Sequence, residues 1–137
     1  MIPTNLINTK FESIFGWIAL EKSEKGITRC SLPQIDQDNC IEETRKWNSE
    51  NTIETALFAE EIKKLNDYLE GRNYSLSDIS LDISRAPKFY NNVWKVCRSI
   101  PIGKTRSYKW VAEESGSPKA ARAVGQAMAN NKITLII

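Results

Sequence analysis

The chain has three side chains suited to nucleophilic chemistry, the thiols of Cys30, Cys40 and Cys97, and it contains no histidine. A thiol becomes a good nucleophile when a neighbouring base or positive charge lowers its pKa, and histidine is the usual neighbour. Without histidine, Ser-His-Asp and Cys-His catalysis and His-containing zinc sites are excluded. The cysteines are widely and irregularly spaced, with no C-x-x-C pair, so we expect no metal site and no cofactor. We predict reduced thiols that act as small core residues.

A second candidate for contact with a ligand is Arg122, which lies in a run of small residues. The run contains Ala120, Ala121, Ala123, Gly125, Ala127 and Ala129. A helix that reads the major groove normally presents several long polar side chains to the base edges. A helix with one arginine among alanines instead permits close approach to a narrow minor groove. A small-residue helix packed tightly on a neighbouring element is an equally good interpretation of this segment alone.

Residues 105–131 have the spacing of a helix-turn-helix. Ser107 is placed to cap a first helix, which carries Tyr108, Trp110, Val111 and Ala112, and Gly116 is placed to end it. Ser117 followed by Pro118 predicts the start of a second helix. That helix should bury Ala121, Val124 and Met128, which are spaced by three and four residues. Two short helices joined by a glycine-containing turn are typical of DNA-binding domains.

The remaining elements must form the frame for this motif. Residues 14–32 predict a β-hairpin with apolar positions at Ile14, Trp17, Ile18 and Leu20 and a turn ending at Gly26. A short helix over 39–50, anchored by Trp47, should follow. Residues 54–70 predict an amphipathic helix whose apolar face is Phe58, Ile62, Leu65 and Leu69, with Gly71 as its C-cap. We further predict short strands at 80–84 and 133–137.

A helix over 87–99, with Pro87 at its start, should offer Phe89, Val93, Trp94 and Cys97 to a core. The composition changes near this point. Residues 86–137 carry nine Lys and Arg against Glu113 and Glu114, a net charge of +7, which leaves −5 for residues 1–85. We therefore predict an α+β protein with an N-terminal α/β domain, 1–85, and a basic, mainly helical domain, 86–137. The charge fits a polyanion partner, but it fits a solvated basic surface as well.

The sequence has no apolar run long enough to cross a membrane and no export signal near its first residues. The ordinary proportions of apolar and charged residues are those of a soluble globular protein. We therefore expect a cytoplasmic protein without a membrane partner.

The C-terminal part contains an ordered set of motifs. These are Phe89 with Val93-Trp94, Ile100-Pro101-x-Gly103-x-Thr105, Ser107-Tyr108, the run Pro118 to Gly125, and Asn131. In this order and spacing the segment resembles the DNA-binding domain of the O6-alkylguanine-DNA alkyltransferases, also called methylated-DNA–protein-cysteine methyltransferases. The N-terminal hairpin, with Gly16 and Gly26, resembles the first domain of that family, a ribonuclease H-like antiparallel sheet with flanking helices.

The resemblance implies a DNA repair protein that binds duplex DNA containing O6-alkylguanine, as a monomer, through the minor groove. The target base is flipped into a pocket, and the alkyl group passes to a cysteine of the protein itself. Arg122 would fill the space left in the base stack, and Tyr108 would crowd the 3′ phosphate of the target nucleotide. Asn131 would brace the turn that leads to the active-site strand. The residues expected to bind DNA are Ser107, Tyr108, Lys109, Ser117, Lys119, Ala120, Ala121, Arg122 and Gly125.

In the family, a Pro-Cys-His-Arg motif follows the equivalent of residues 133–137 and supplies the acceptor cysteine. The 137 residues do not include this motif. We therefore expect no catalytic residue in this sequence, and a polypeptide that binds DNA without repairing it. The alternative is a non-catalytic, alkyltransferase-like module that recognises DNA lesions. A sequence-specific transcription regulator is disfavoured because the second helix has too few side chains that read bases.

Overall fold

The computed structural model of the chain describes residues 6–45, 47, 55–73, 75–84 and 86–137. Within these residues it has the α+β architecture that the sequence predicted. It consists of a three-stranded antiparallel sheet and five α-helices. The residues divide into two compact units. The first unit contains the described residues up to Asp82 together with Lys132–Ile136, and the second contains Ile83–Asn131 and Ile137. The proposed domain boundary between residues 85 and 86 stays a prediction.

The sheet of the first unit has the strand order β1-β2-β3, with β1 at Ile7–Ser13, β2 at Gly16–Ser23 and β3 at Gly26–Cys30. The predicted hairpin is confirmed as β2–β3, where Leu20 lies opposite Cys30. Strand β1 was not predicted, and Ile14, assigned to the hairpin, is a 59% exposed turn residue. The alternation in β1 is obscured because two of its buried residues, Asn8 and Thr9, are polar.

Three helical segments accompany the sheet. They are α1 at Gln37–Thr44, a 3-10 helix at Thr55–Phe58 and α2 at Ala59–Leu69. Of the predicted apolar face, Phe58 and Leu65 are fully buried, whereas Ile62 and Leu69 are partly buried. Gly71 follows α2 with a φ of +79°. Part of the predicted 39–50 helix, residues 46 and 48–50, lies outside the described residues, as does residue 54 of the next helix.

The two short strands predicted at 80–84 and 133–137 are not strands. Each segment makes one parallel bridge to β3, Ile27 to Leu81 and Cys30 to Ile133. Thr134 Oγ1 donates a hydrogen bond of 2.8 Å to the Cys30 carbonyl, and the chain then turns at Leu135, whose φ is +75°. The left-handed Leu135, two residues after the bridge, ends the pairing, and the apolar run continues as a turn whose Ile133 and Ile136 side chains are buried.

The second unit contains α3 at Lys88–Arg98, α4 at Tyr108–Glu114 and α5 at Ala121–Ala129. Its buried core consists of Val93, Trp94, Val111, Ala112, Val124 and Ala127. Phe89, Cys97 and Met128, predicted to be core residues, pack against this cluster and are only partly buried. The predicted helix-turn-helix is confirmed as α4–α5. Among the described residues, no helix is long and apolar enough to cross a membrane.

The second helix of the motif begins later than predicted. Ser117 and Pro118 were expected to be its N-cap and first residue. Instead they belong to a turn in which the Ala120 backbone N–H donates to the Ser117 carbonyl at 2.9 Å, and α5 begins at Ala121. A serine-proline pair starts a turn as readily as a helix, because proline fixes φ for both conformations.

Candidate nucleic-acid interface

The first helix of the motif is fixed by the cap that the sequence predicted. The backbone N–H of Trp110 donates a hydrogen bond of 3.0 Å to Ser107 Oγ, which satisfies one of the free donors at the start of α4. This cap places Tyr108 at the first position of the helix. Its side chain remains 54% exposed, so an aromatic ring with a hydroxyl group stands at the surface of the second unit.

The ring of Tyr108 lies against α5 at Gly125. A Cβ atom built at Gly125 would be 3.4 Å from Tyr108 Cε2, at the near limit of ordinary van der Waals contact. The tyrosine ring therefore lies close to the helix at Gly125, at a distance that a Cβ atom would also fit. This contact brings together two residues that the sequence assigned to one surface, Tyr108 and Gly125.

Helix α3 contacts the C-terminal part of α5. Trp94 Nε1 donates a hydrogen bond of 2.9 Å to the Ala127 carbonyl, and the sulfur atoms of Cys97 and Met128 are 3.4 Å apart. Asn130 Nδ2 lies 3.4 Å from the Tyr90 hydroxyl and 2.8 Å from the Gln126 carbonyl. Because the buried and half-buried contacts fall on one face of α5, the other face is left open.

Three of the predicted DNA-binding residues are basic. Arg122 on α5, Lys119 in the preceding turn and Lys109 on α4 are all exposed. Within the described residues, no ion pair involves any of these three side chains, whereas several lysines and arginines of the first unit pair with carboxylates. Exposed cations without an ion pair in the described residues, an exposed tyrosine and a helix with short side chains are features suited to a polyanion partner.

The other predicted site residues occupy the turn and the helix ends. Ser117 lies in the turn before α5, and Ala120 and Ala121, where the helix begins, are partly buried. Asn131 follows α5, and its backbone N–H donates to the Met128 carbonyl at 3.2 Å. Its predicted bracing of the next segment stays a prediction.

Arg106 was not predicted as a site residue. Its guanidinium lies over the Trp110 ring, 5.3 Å from the centroid, and its Nη1 donates to the Thr105 carbonyl at 2.8 Å. The sequence feature that could have predicted this contact is the spacing of four residues between Arg106 and Trp110, at the start of the helix that Ser107 caps.

Residues 88–137 match the family described as 6-O-methylguanine DNA methyltransferase, DNA binding domain, and residues 6–83 match the ribonuclease-like domain of the same enzyme. The chain belongs to the methylated-DNA–protein-cysteine methyltransferase family. It is 38% identical over 126 residues to the enzyme of Mycolicibacterium paratuberculosis. The aligned residues make up 92% of this chain and 71% of that one. It is 35% identical over 129 residues to the constitutive Bacillus subtilis enzyme. The aligned residues make up 94% of this chain and 75% of that one.

Solved structures of methyltransferases agree with this family. The Mycobacterium tuberculosis O6-methylguanine methyltransferase superposes with a TM-score of 0.76 at 30% identity, over 96% of this chain and 74% of that chain. The structure of M. tuberculosis OGT in complex with DNA gives a TM-score of 0.74 at 29% identity. The superposition covers 95% of this chain and 73% of that chain. The family assignment therefore covers both the ribonuclease-like part and the helical part of the chain.

Methyltransferases of this family are named for a cysteine, so the state of the three thiols matters. Burial raises the pKa of Cys30 to about 12, with a smaller contribution from the nearby Cys40. Burial is also the largest cause of the raised pKa values of Cys40 and Cys97. All three are therefore protonated thiols at neutral pH, which are poor nucleophiles. In the part of the chain that the structure describes, no cluster of His, Cys, Asp and Glu could hold a metal ion.

Proposed function

We propose that this chain is a DNA repair protein that binds duplex DNA with α5 in the minor groove and extrudes O6-alkylguanine from the base stack. The observation that carries the proposal is the surface of α4 and α5. There the exposed Arg122 projects from a helix of small residues, and the Tyr108 ring lies against Gly125. The family assignment and the DNA complex of M. tuberculosis OGT support duplex DNA as the partner.

Helix α5 suits the minor groove because most of its side chains are short. The minor groove of B-DNA is about 6 Å wide, so long side chains would keep a helix away from its floor. Alanine and glycine on α5 permit close approach, and the lysines beside it, Lys109 and Lys119, can neutralise phosphates on the groove walls.

Arg122 and Tyr108 have separate parts in extrusion. Flipping a base out of the stack costs a few kcal/mol, which a side chain that enters the vacated space offsets. Arg122 has the length and exposure for that part. Tyr108, held beside α5, presents a bulky ring to the backbone of the target nucleotide, so that rotation of the nucleotide relieves the crowding.

The alkyl-transfer step requires a reactive cysteine, and the 137 residues supply only Cys30, Cys40 and Cys97, whose raised pKa values oppose nucleophilic attack. We therefore expect these 137 residues to bind DNA without accepting an alkyl group on Cys30, Cys40 or Cys97.

The test compares Arg122→Ala with Lys119→Ala on matched and mismatched duplexes by fluorescence anisotropy. Because a mismatched base is extruded at lower cost, Arg122→Ala should weaken binding to the mismatched duplex more than to the matched one. Lys119→Ala should weaken both equally and reduce the slope of log affinity against log salt by about one contact. Equal and uniform losses for the two variants would refute the extrusion role and leave α5 as a basic surface only.

A further inference from the structure

Arg106 holds an unusual position at the edge of the proposed interface. Its guanidinium stacks over Trp110, which packs against the core of the second unit, and its Nη1 is fixed on the Thr105 carbonyl. An exposed arginine normally samples many rotamers, and ordering it on binding costs free energy. The contacts of Arg106 with Trp110 and Thr105 already restrict its side chain, so less conformational entropy is lost when it binds a ligand.

The remaining donors of Arg106 are available to a ligand. A guanidinium has five N–H donors in one plane, and one of them is used by Thr105. Within the described residues, no carboxylate forms an ion pair with Arg106, and the residue is exposed. A guanidinium beside an aromatic ring keeps N–H donors that can match a phosphate group in two-point hydrogen bonding.

Arg106 is also close to the residues of the proposed interface. It is two residues before Tyr108, so their Cα atoms lie within about 7 Å of each other. The Tyr108 ring in turn lies 3.4 Å from the position that a Cβ atom would take at Gly125 on α5. A phosphodiester backbone that passes Tyr108 is therefore within reach of the Arg106 side chain.

We infer that Arg106, held in place by Trp110, is a phosphate-binding residue that clamps the DNA backbone beside Tyr108. This inference rests on the proposed DNA-binding function. The role is distinct from that of Arg122, because a phosphate contact contributes to every duplex and does not depend on base extrusion. The competing explanation is that the Arg106–Trp110 pair only stabilises the start of α4.

The experiment measures the affinity of the 137-residue chain for a fluorescein-labelled undamaged duplex across a salt series. Arg106→Gln should reduce the slope of log affinity against log salt by about 0.9 and weaken binding about five-fold at 0.15 M salt, the contribution of one phosphate contact. The matched control is Lys95→Gln, an exposed charge on α3 outside the interface, which should leave the slope unchanged. Arg106→Lys should keep the slope and lose part of the affinity, because lysine keeps the charge without the planar, stacked edge.

The outcomes separate the two explanations. A lowered thermal midpoint for Arg106→Gln with an unchanged salt slope would show a structural pair and overturn the inference. Equal losses of salt slope for Arg106→Gln and Lys95→Gln would also overturn it. The reduced slope would then reflect the lower net charge of the protein and not a contact of Arg106 with a phosphate. Arg106→Lys indistinguishable from wild type would remove the part of the inference that concerns stacking. Failure of the unaltered chain to bind any duplex would refute the proposed function itself.

Discussion

At the residue scale, the thiols show how environment decides chemistry. Each cysteine could be a nucleophile by its type alone, and each is buried or half-buried. Burial disfavours the thiolate because a charge in an apolar site loses its hydration. The prediction that these thiols are core residues follows from their long, irregular spacing and from the lack of histidine, and the raised pKa values agree with it.

This state of the thiols leads to a prediction about alkyl transfer. Incubation of the 137-residue chain with an excess of duplex containing O6-methylguanine should leave its intact mass unchanged at pH 7.5 and at pH 9. The higher pH is still well below the pKa of about 12 for Cys30, so its thiolate stays scarce. The control is the same incubation with the constitutive B. subtilis relative, which is named as a methyltransferase. A gain of one methyl group, mapped to one of the three cysteines, would contradict the prediction.

The other residues of the site were predictable to different degrees. Ser107 and Gly116 could be assigned because a cap and a left-handed glycine each have a local signature. Arg106 could not, because its role depends on where the Trp110 ring lies, and that position is set by packing against the core. Sequence patterns report the local conformation of a segment, and contacts of exposed side chains need the tertiary structure.

At the element scale, the strong apolar periodicity of the sequence predicted the helices correctly. The strand predictions at 80–84 and 133–137 were wrong, because each segment pairs with β3 at a single bridge. Helices α2 and α3 have clear apolar faces, and both were predicted to within a few residues. Residues 133–137 have strand-forming composition, yet a strand also needs a partner along its length. Here the partner is one residue of β3, so the apolar run forms a bridge and then a turn.

The edge of β3 also gives a stability prediction at Gly26. This residue has a φ of +147°, and a Cβ there would lie 2.5 Å from the Ser80 carbonyl oxygen. Gly26→Ala should therefore strain the backbone and separate β3 from Ser80, lowering the free energy of unfolding by about 3 kcal/mol. Gly71→Ala is the matched control, because Gly71 has a φ of +79° with open space around it and should lose only about 1 kcal/mol.

Urea titration followed by circular dichroism measures both Gly variants. The difference between them combines the steric clash at Ser80 with the greater backbone strain at Gly26, whose φ of +147° is less accessible to alanine than the φ of +79° at Gly71. Similar losses for Gly26→Ala and Gly71→Ala would mean that β3 and the segment at Ser80 separate easily, and that the bridge to Leu81 contributes little.

At the scale of the whole molecule, charge is divided between the two parts of the sequence. The first part is net acidic, and in the described residues many of its lysines and arginines pair with carboxylates, as Lys22 does with Glu61 at 3.0 Å. The C-terminal part has a net charge of +7 over residues 86–137, and Lys109, Lys119 and Arg122 there are exposed. Binding to DNA should therefore be steeply dependent on salt, because each phosphate contact releases counterions.

The same composition predicts that DNA binding does not depend on pH between 5.5 and 7.0. The chain has no histidine, and burial raises the pKa values of its three thiols further from this range. Among side chains, histidine is the one whose ordinary pKa lies in this window, so a chain without histidine has no such group to change the charge of the interface. Anisotropy measured at fixed ionic strength should give the same affinity at both limits.

Lys119→His supplies the control that shows the assay can detect a titrating contact. A histidine at this exposed position is mostly charged at pH 5.5 and mostly neutral at pH 7.0, so the variant should bind about two-fold more tightly at the lower pH. If the unaltered chain changes its affinity as much as the Lys119→His variant does, a group that titrates near neutral pH takes part in binding. Fixed charges on α4 and α5 would then not account for the interaction with DNA.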